Sequence, residues 1–260
     1  MRELGSCEAP ISGEHLISQS VMLVLQGNGE FSIAGVPWLP KGEERVLGAN
    51  ALRANCLCAK HNSALSPIDN AAKHLFQSLK TFLEVDAGEP RHSLVSGYDL
   101  ERWILKTAKA LAVSGNLARG EERLSGAFAQ DNSLIELLDD PTAWPEGSGL
   151  YCTMQEGDFM LNHSRFQLIP WVETIHGKDE IVALKVNILG FSFVLLLEPF
   201  DPERFPELVT ANYRPGRIEI QYAKSISWIT ISWEDSHPHS QLSVQHVKAV
   251  DAPKAPAQGS

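Results

Sequence analysis

Apolar residues recur along this chain at two periods, and the changes between them mark its elements. Ala72, Leu75, Phe76, Leu79, Phe82 and Leu83 repeat at helical spacing. Ser66, Pro67 and Asp69 stand just before them as N-cap, first-turn proline and acidic third position, so the pattern predicts a helix from Ser66 to about Glu84. Upstream, Val21 to Leu25 and Phe31 to Val36 read as two short strands joined by a turn through Gln26-Gly27-Asn28-Gly29-Glu30. After the polar break Asp86-Ala87-Gly88-Glu89-Pro90, a second helix is expected from Tyr98 to Val113. Leu100, Trp103, Ile104, Ala108 and Leu111 form its apolar stripe, Ser96 and Asp99 a variant capping box, and Ser114-Gly115-Asn116 its stop. Glu101, Arg102 and Lys106 then read as its solvated face.

Farther on the period shortens to two. Residues 117 to 133 read as a polar loop with a short helix, and Leu134 to Leu138 as another helical turn. Val182, Leu184, Val186 and Ile188 alternate, Gly190 interrupts, and an apolar run follows from Phe191 to Leu197. Ile218, Ile220 and Tyr222, then Ile226, Trp228 and Ile231, predict a hairpin around Ala223-Lys224-Ser225. An antiparallel sheet with the Tyr98 helix packed on one face buries these strands most simply. Trp144, Trp171, Trp228 and Trp233, with Tyr213 and Arg214, read as core in preference to a binding groove, because large rings supply much of the area a small sheet must bury. His163 and His176 lack ligand spacing, and His237, His239 and His246 make only a faint metal tract in the His-, Pro- and Gln-rich end.

The expected class is α+β: a segment at 1–86, an α+β region at 91–235 and a disordered tail at 236–260. Two units suit 260 residues with 43% hydrophobic content. No apolar run is as long as a bilayer span and Met1 to Gly5 lacks a hydrophobic signal core, so a soluble cytoplasmic protein without membrane contact is expected. Four unevenly spaced cysteines suit metal use in a reducing compartment better than a disulfide framework.

The chemistry concentrates near the start. Cys58 and His61 are three apart, a spacing that lets a thiolate and an imidazole from one turn face the same tetrahedral ion. Cys7 is the natural partner from the N-terminal arm, and the fourth position is left to Cys56, His15 or water. Glu14-His15 lies between, and Asn62 follows His61 directly.

The segments Cys7 to Ser20, Gly35-Val36-Pro37-Trp38 and Cys58 to Asp69 resemble the HNH endonuclease superfamily, in its divergent branch of bacterial proteins with an E-H-I-S first motif and a C-x-x-H-N second motif. The likeness spans roughly residues 5 to 80. It implies a ββα-metal unit in the first segment and hydrolysis of phosphodiester bonds, most readily of DNA. By the same likeness His15 is the general base that takes a proton from water, Glu14 holds metal or orients the site, and Asn62 helps hold a catalytic magnesium or manganese ion. Asn50, favoured over Asn55, would orient the base, and Cys7, Cys58 and His61, with Cys56 as substitute, would hold a structural zinc ion. The pattern departs from the family in lacking a second N-terminal cysteine. A net charge of −10, from 22 basic and 32 acidic residues, supplies no general attraction to nucleic acid, although Arg45, Arg53 and Lys60 offer a local basic face. The alternative is a zinc-supported nucleic-acid- or protein-binding module whose HNH centre no longer cuts.

Overall fold

The computed structural model describes residue 7 and residues 11–26, 31–48, 51–84, 89–119, 122–124, 126–161, 166–222 and 225–247. Its first segment contains β1 (Ile11–His15), α1 (Gln19–Leu25), β2 (Phe31–Ala34), β3 (Glu44–Leu47), β4 (Arg53–Cys58) and α2 (Ala59–Glu84). β1 and β4 pair antiparallel into a ribbon, and the chain leaves β4 directly into α2. Val21 to Leu25, expected as a strand, is helical: Val21, Met22 and Val24 turn to one buried side, and the Met22 N–H donates to the Ser18 carbonyl at 3.0 Å. A five-residue apolar run fits either period, and packing against α2 decides it. Phe31–Ala34 is a strand, but its partner is β3, which the alternation did not reveal. The turn expected at Gln26 to Glu30 falls mostly on residues 27–30, outside the described residues.

The helix expected at Ser66 begins at Ala59 and takes Pro67 inside it. Proline has no N–H to donate to Ser63, four residues earlier, and the turns on either side carry the helix across. His61 and Asn62 therefore sit in the first turn of α2 and not in a preceding loop.

Next come β5 (His92–Ser96) and α3 (Gly97–Val113), capped by Ser96, whose Oγ accepts the Asp99 N–H at 3.2 Å. β6 (Ala118–Arg119) and β7 (Glu122–Arg123) form a short ribbon, followed by α4 (Gly126–Gln130) and α5 (Ser133–Asp139). The remaining strands are β8 (Gly149–Cys152), β9 (Phe159–Leu161), β10 (Phe166–Ile175), β11 (Lys178–Ile188), β12 (Phe191–Leu196), β13 (Asn212–Tyr213), β14 (Arg217–Gln221), β15 (Ile226–Ser232) and β16 (Gln241–Val247).

The molecule is thus mixed α and β, and where one sheet was expected there are two of five strands. The first, β10-β11-β12-β8-β13, is wholly antiparallel. Leu189 and Gly190 turn its β11-β12 hairpin with both φ angles positive, 50° and 97°, as a two-residue hairpin turn requires. The second, β5-β15-β14-β16-β9, is mixed: β14 and β15 form the expected hairpin, but β5, β16 and β9 join parallel to their neighbours. β16 lies in the segment read as a tail. Leu242 and Val244 are buried there, and alternation over so few residues is hard to see among polar neighbours.

α3 is buried nearly all round, which corrects its reading as half-solvated. Leu100, Trp103, Ile104, Leu105 and Ala108 are fully enclosed, and Glu101, Lys106 and Lys109 are buried with them. Each inward charge reaches a different element. Glu101 accepts the Leu150 N–H of β8 at 2.7 Å, and the guanidinium of Arg214 grips both its oxygens at 3.0 Å. Arg102 donates to the Leu138 carbonyl in α5 at 2.7 Å, and Lys109 to the Phe128 and Asp131 carbonyls at the end of α4 at 2.5 and 2.8 Å. Gly149 is required beside Glu101, because a Cβ there would stand 2.5 Å from Oε1.

One contiguous core runs from Leu16 through Phe76 and Trp103 to Ile220 and Val244, joining both segments of the chain. At its centre Phe76, Trp103 and Phe166 meet edge to face or tilted, with centroids 5.4 to 5.8 Å apart. Trp144 is core as expected, whereas Trp228 stays half-buried on the outer face of the second sheet, under the Arg217 guanidinium at 4.7 Å. Replacing the central indole, Trp103→Ala, is expected to lower the unfolding free energy by about 3–5 kcal/mol, read by urea denaturation with circular dichroism. A loss below about 1 kcal/mol would show that the two segments do not share this core.

Candidate metal and nucleic-acid site

The β1-β4 ladder sets Ile11, at the start of β1, opposite Cys58, the last residue before α2. Cys58 ends β4, and helix geometry returns His61 over it three residues later. The Cys58 Sγ is 3.1 Å from His61 Nδ1, and Cys7 Sγ, from the arm before β1, is 3.6 Å from the same nitrogen. All three ligand atoms lie within 4.8 Å of one another. Zn–S bonds of about 2.3 Å and Zn–N bonds of about 2.0–2.1 Å place neighbouring ligand atoms of a tetrahedral site about 3.5–3.8 Å apart, so small shifts would seat an ion among them. Two thiolates and an imidazole are also the donors zinc prefers.

Cys56 does not join this group. It lies two residues back on β4, near the charges of Glu14 and Lys106. Burial, aided by Glu14, pushes its thiol up against the opposing pull of Lys106.

Glu14 also has a different place from the one its position beside His15 suggested. Its carboxylate is buried, and Lys106 Nζ of α3 donates to Oε1 at 2.9 Å. The same ammonium bonds Asp69 Oδ1 and Oδ2 of α2 at 2.9 and 2.7 Å. Asp69 in turn accepts the Ser18 hydroxyl, and Trp103 Nε1 donates to Ser18 Oγ at 2.8 Å. The acidic third position expected to serve a helix dipole therefore belongs to a buried Glu-Lys-Asp cluster that joins β1, α2 and α3.

Neighbouring strand residues face opposite sides, so with Glu14 turned inward His15 looks to the other face of the ribbon. There it is paired with Arg53 of β4. A bulge between Ser12 and Glu14 opposes Gly13 to both Asn55 and Cys56. Arg53, exposed, donates from Nη2 to the Gly13 carbonyl at 3.2 Å. Asn62, half-buried, follows His61 in the first turn of α2. Asn50 lies outside the described residues, and Asn55 is exposed on β4. Arg45 is exposed on β3, its guanidinium 5.9 Å from the Trp38 ring.

Sequence reasoning missed Lys106 and Asp69 as partners of Glu14. The signal was a lysine in the apolar stretch of a helix whose other faces are also apolar, but only the third dimension gives it acceptors. A second polar centre gathers around Arg214, which the sequence grouped with Tyr213 and Trp233 as core; what the sequence did not show is that Tyr98, Glu101 and Asp235 join them. Arg214 has a backbone φ of 42°, and its guanidinium lies within 4.8 to 5.3 Å of the rings of Tyr98, Tyr213 and Trp233 and 3.4 Å from Asp235. Burial tends to raise Asp235, but the His237 N–H, the His239 ring and the Tyr98 hydroxyl outweigh it and hold the carboxyl below its usual range. The Tyr213 hydroxyl donates to the Ser148 carbonyl at 2.9 Å and Trp233 Nε1 to the Pro215 carbonyl at 3.0 Å, so these groups are engaged within the fold, which marks the cluster as a joint between the sheets.

No protein-family model matches this chain, and no curated protein or solved structure is significantly similar to it. Among the described residues no helix is long and apolar enough to cross a membrane.

Two measurements check the buried charges. Lys106→Met strands Glu14 and Asp69 without their cation and is expected to cost about 3–5 kcal/mol in urea denaturation, with part of the loss recovered when Glu14→Gln and Asp69→Asn are added. Recovery of nothing would mean that the lysine acts through packing alone. For Glu101, burial raises the carboxyl to about 7 against the pull of Arg214 and the Leu150 N–H. Between the ordinary carboxylate range and about 7 the folded chain then holds the extra proton, so this group's contribution to stability falls as pH rises through that window. Glu101→Gln should flatten that part of the stability-versus-pH curve.

Proposed function

We propose that this chain is a metal-supported endonuclease of the HNH type that hydrolyses phosphodiester bonds, with DNA as its substrate. The observation that carries the reading is the order ribbon then helix with Cys7 Sγ, Cys58 Sγ and His61 Nδ1 drawn together where β4 passes into α2, beside the strand that ends in His15. In this reading zinc held by Cys7, Cys58 and His61 fixes the arm, β4 and α2 to one another and so sets the position of His15.

His15 then acts as the base. Its imidazole accepts a proton from a water molecule as the water oxygen bonds to phosphorus. The bond from phosphorus to the departing sugar oxygen breaks, and that oxygen takes a proton from solvent and leaves as a hydroxyl. Magnesium or manganese beside Asn62 would supply charge stabilisation of the phosphate when bound. Glu14 does not fit as a ligand to that ion, because its carboxylate already accepts the Lys106 ammonium.

That ammonium is also the observation favouring a second reading, a zinc-supported nucleic-acid- or protein-binding module that does not cut. Nicking of supercoiled plasmid separates them. The wild-type chain is expected to nick with magnesium or manganese, and His15→Ala to lose nicking while keeping its melting temperature. Metal analysis should find one zinc per chain, absent from Cys58→Ser. Zinc binding with no nicking under any divalent ion would leave the second reading in place of the first.

A further inference from the structure

We infer that Arg53 is the residue that grips the phosphate undergoing hydrolysis, an assignment that rests on the nuclease reading of His15. The β1-β4 ladder sets Arg53 directly opposite His15. Residues so opposed have Cβ atoms about 4.5–5.5 Å apart and side chains on one face of the ribbon, so the side chains of His15 and Arg53 leave the backbone as neighbours on that face. Glu14, the neighbouring charge on β1, is turned to the other face and held there by Lys106.

The placement of Arg53 is built by its neighbours. The bulge opposes Gly13 to two residues of β4, and the Nη2 atom of Arg53 lies down along β1 to donate to the Gly13 carbonyl at 3.2 Å. A Cβ at Gly13 would be 3.8 Å from Arg53 Nε and 3.7 Å from Asn55 Oδ1, so guanidinium and amide flank this bare stretch of backbone together. Arg53 remains exposed, and among the described residues no carboxylate forms an ion pair with it. Arg53 is thus an exposed residue that shares a ribbon face with His15, its guanidinium bonded to the Gly13 carbonyl. A planar cation with parallel N–H donors matches two non-bridging phosphate oxygens, which a lysine in its place would meet only as a point charge. With Glu14 engaged elsewhere, this guanidinium is the group placed to balance charge as water adds to phosphorus.

Phosphate oxygens carry no base identity. The ribbon face thus engages the nucleic-acid backbone whatever its sequence, and its affinity falls with salt.

The test uses the full chain and two substrates: supercoiled plasmid for nicking and a fluorescein-labelled duplex for binding, each at several salt concentrations. Arg53→Gln is expected to raise KM for nicking and weaken duplex binding about ten- to hundredfold, with a shallower salt dependence and unchanged zinc content and melting temperature. Arg53→Lys should recover part of the binding. His15→Ala should bind as wild type does while nicking is lost. Nicking and binding by Arg53→Gln at wild-type KM and affinity would overturn the assignment. A wild-type chain that binds the duplex through Arg53 but never nicks would keep the phosphate contact and remove the nuclease reading. A chain that neither binds nor nicks would remove both.

Discussion

Burying one helix on every side is the constraint from which the rest of this structure follows. α3 carries Glu101, Lys106 and Lys109 into an interior where an unmatched charge is costly, with Arg102 half-buried at its margin, so each must find acceptors or donors on whatever packs against it. Those obligations fix the neighbours: β8 and Arg214 at Glu101, α5 at Arg102, β1 and α2 at Lys106, α4 at Lys109. Apolar packing between Trp103, Phe76 and Phe166 supplies the driving force, but it is non-directional. The polar ties choose which arrangement of elements the burial produces.

The candidate site inherits its geometry from that helix. Lys106 draws Glu14 inward, strand alternation then puts His15 on the opposite face of the ribbon, and the ladder places Arg53 across from it. Asp69, bonded to the same ammonium, ties α2 to β1 and so holds the helix start that carries His61 and Asn62. A lysine 22 residues beyond the end of α2 thereby governs the shape of a site composed of the first 62 residues. The N-terminal segment and the region behind it are accordingly linked by charge as well as by a shared core.

Much of the secondary structure was legible because long periodic segments leave little choice. The Tyr98 helix with its Ser96 cap, the β11-β12 hairpin with Gly190 and the β14-β15 hairpin all show their period over many residues. Short segments failed for the same reason in reverse. Val21 to Leu25 suits helix or strand until it meets α2, Pro67 looks like a helix start until the turns before it are satisfied, and Gln241–Val247 is too polar to reveal a buried parallel strand. The proximity of Cys7, Cys58 and His61 was partly legible, since two of them are bound by a three-residue turn.

The residues themselves determined the periods, the caps and which side chains can donate electron pairs to a metal or a proton, because these depend on chemistry within a few bonds or a few turns. Only the folded chain decided that Glu14 serves Lys106, that Cys56 stands apart from Cys58 and that Arg53 accompanies His15. Those outcomes depend on distances between segments far apart in sequence, which are set when a buried charge must be matched and when pleating assigns alternate residues to opposite faces.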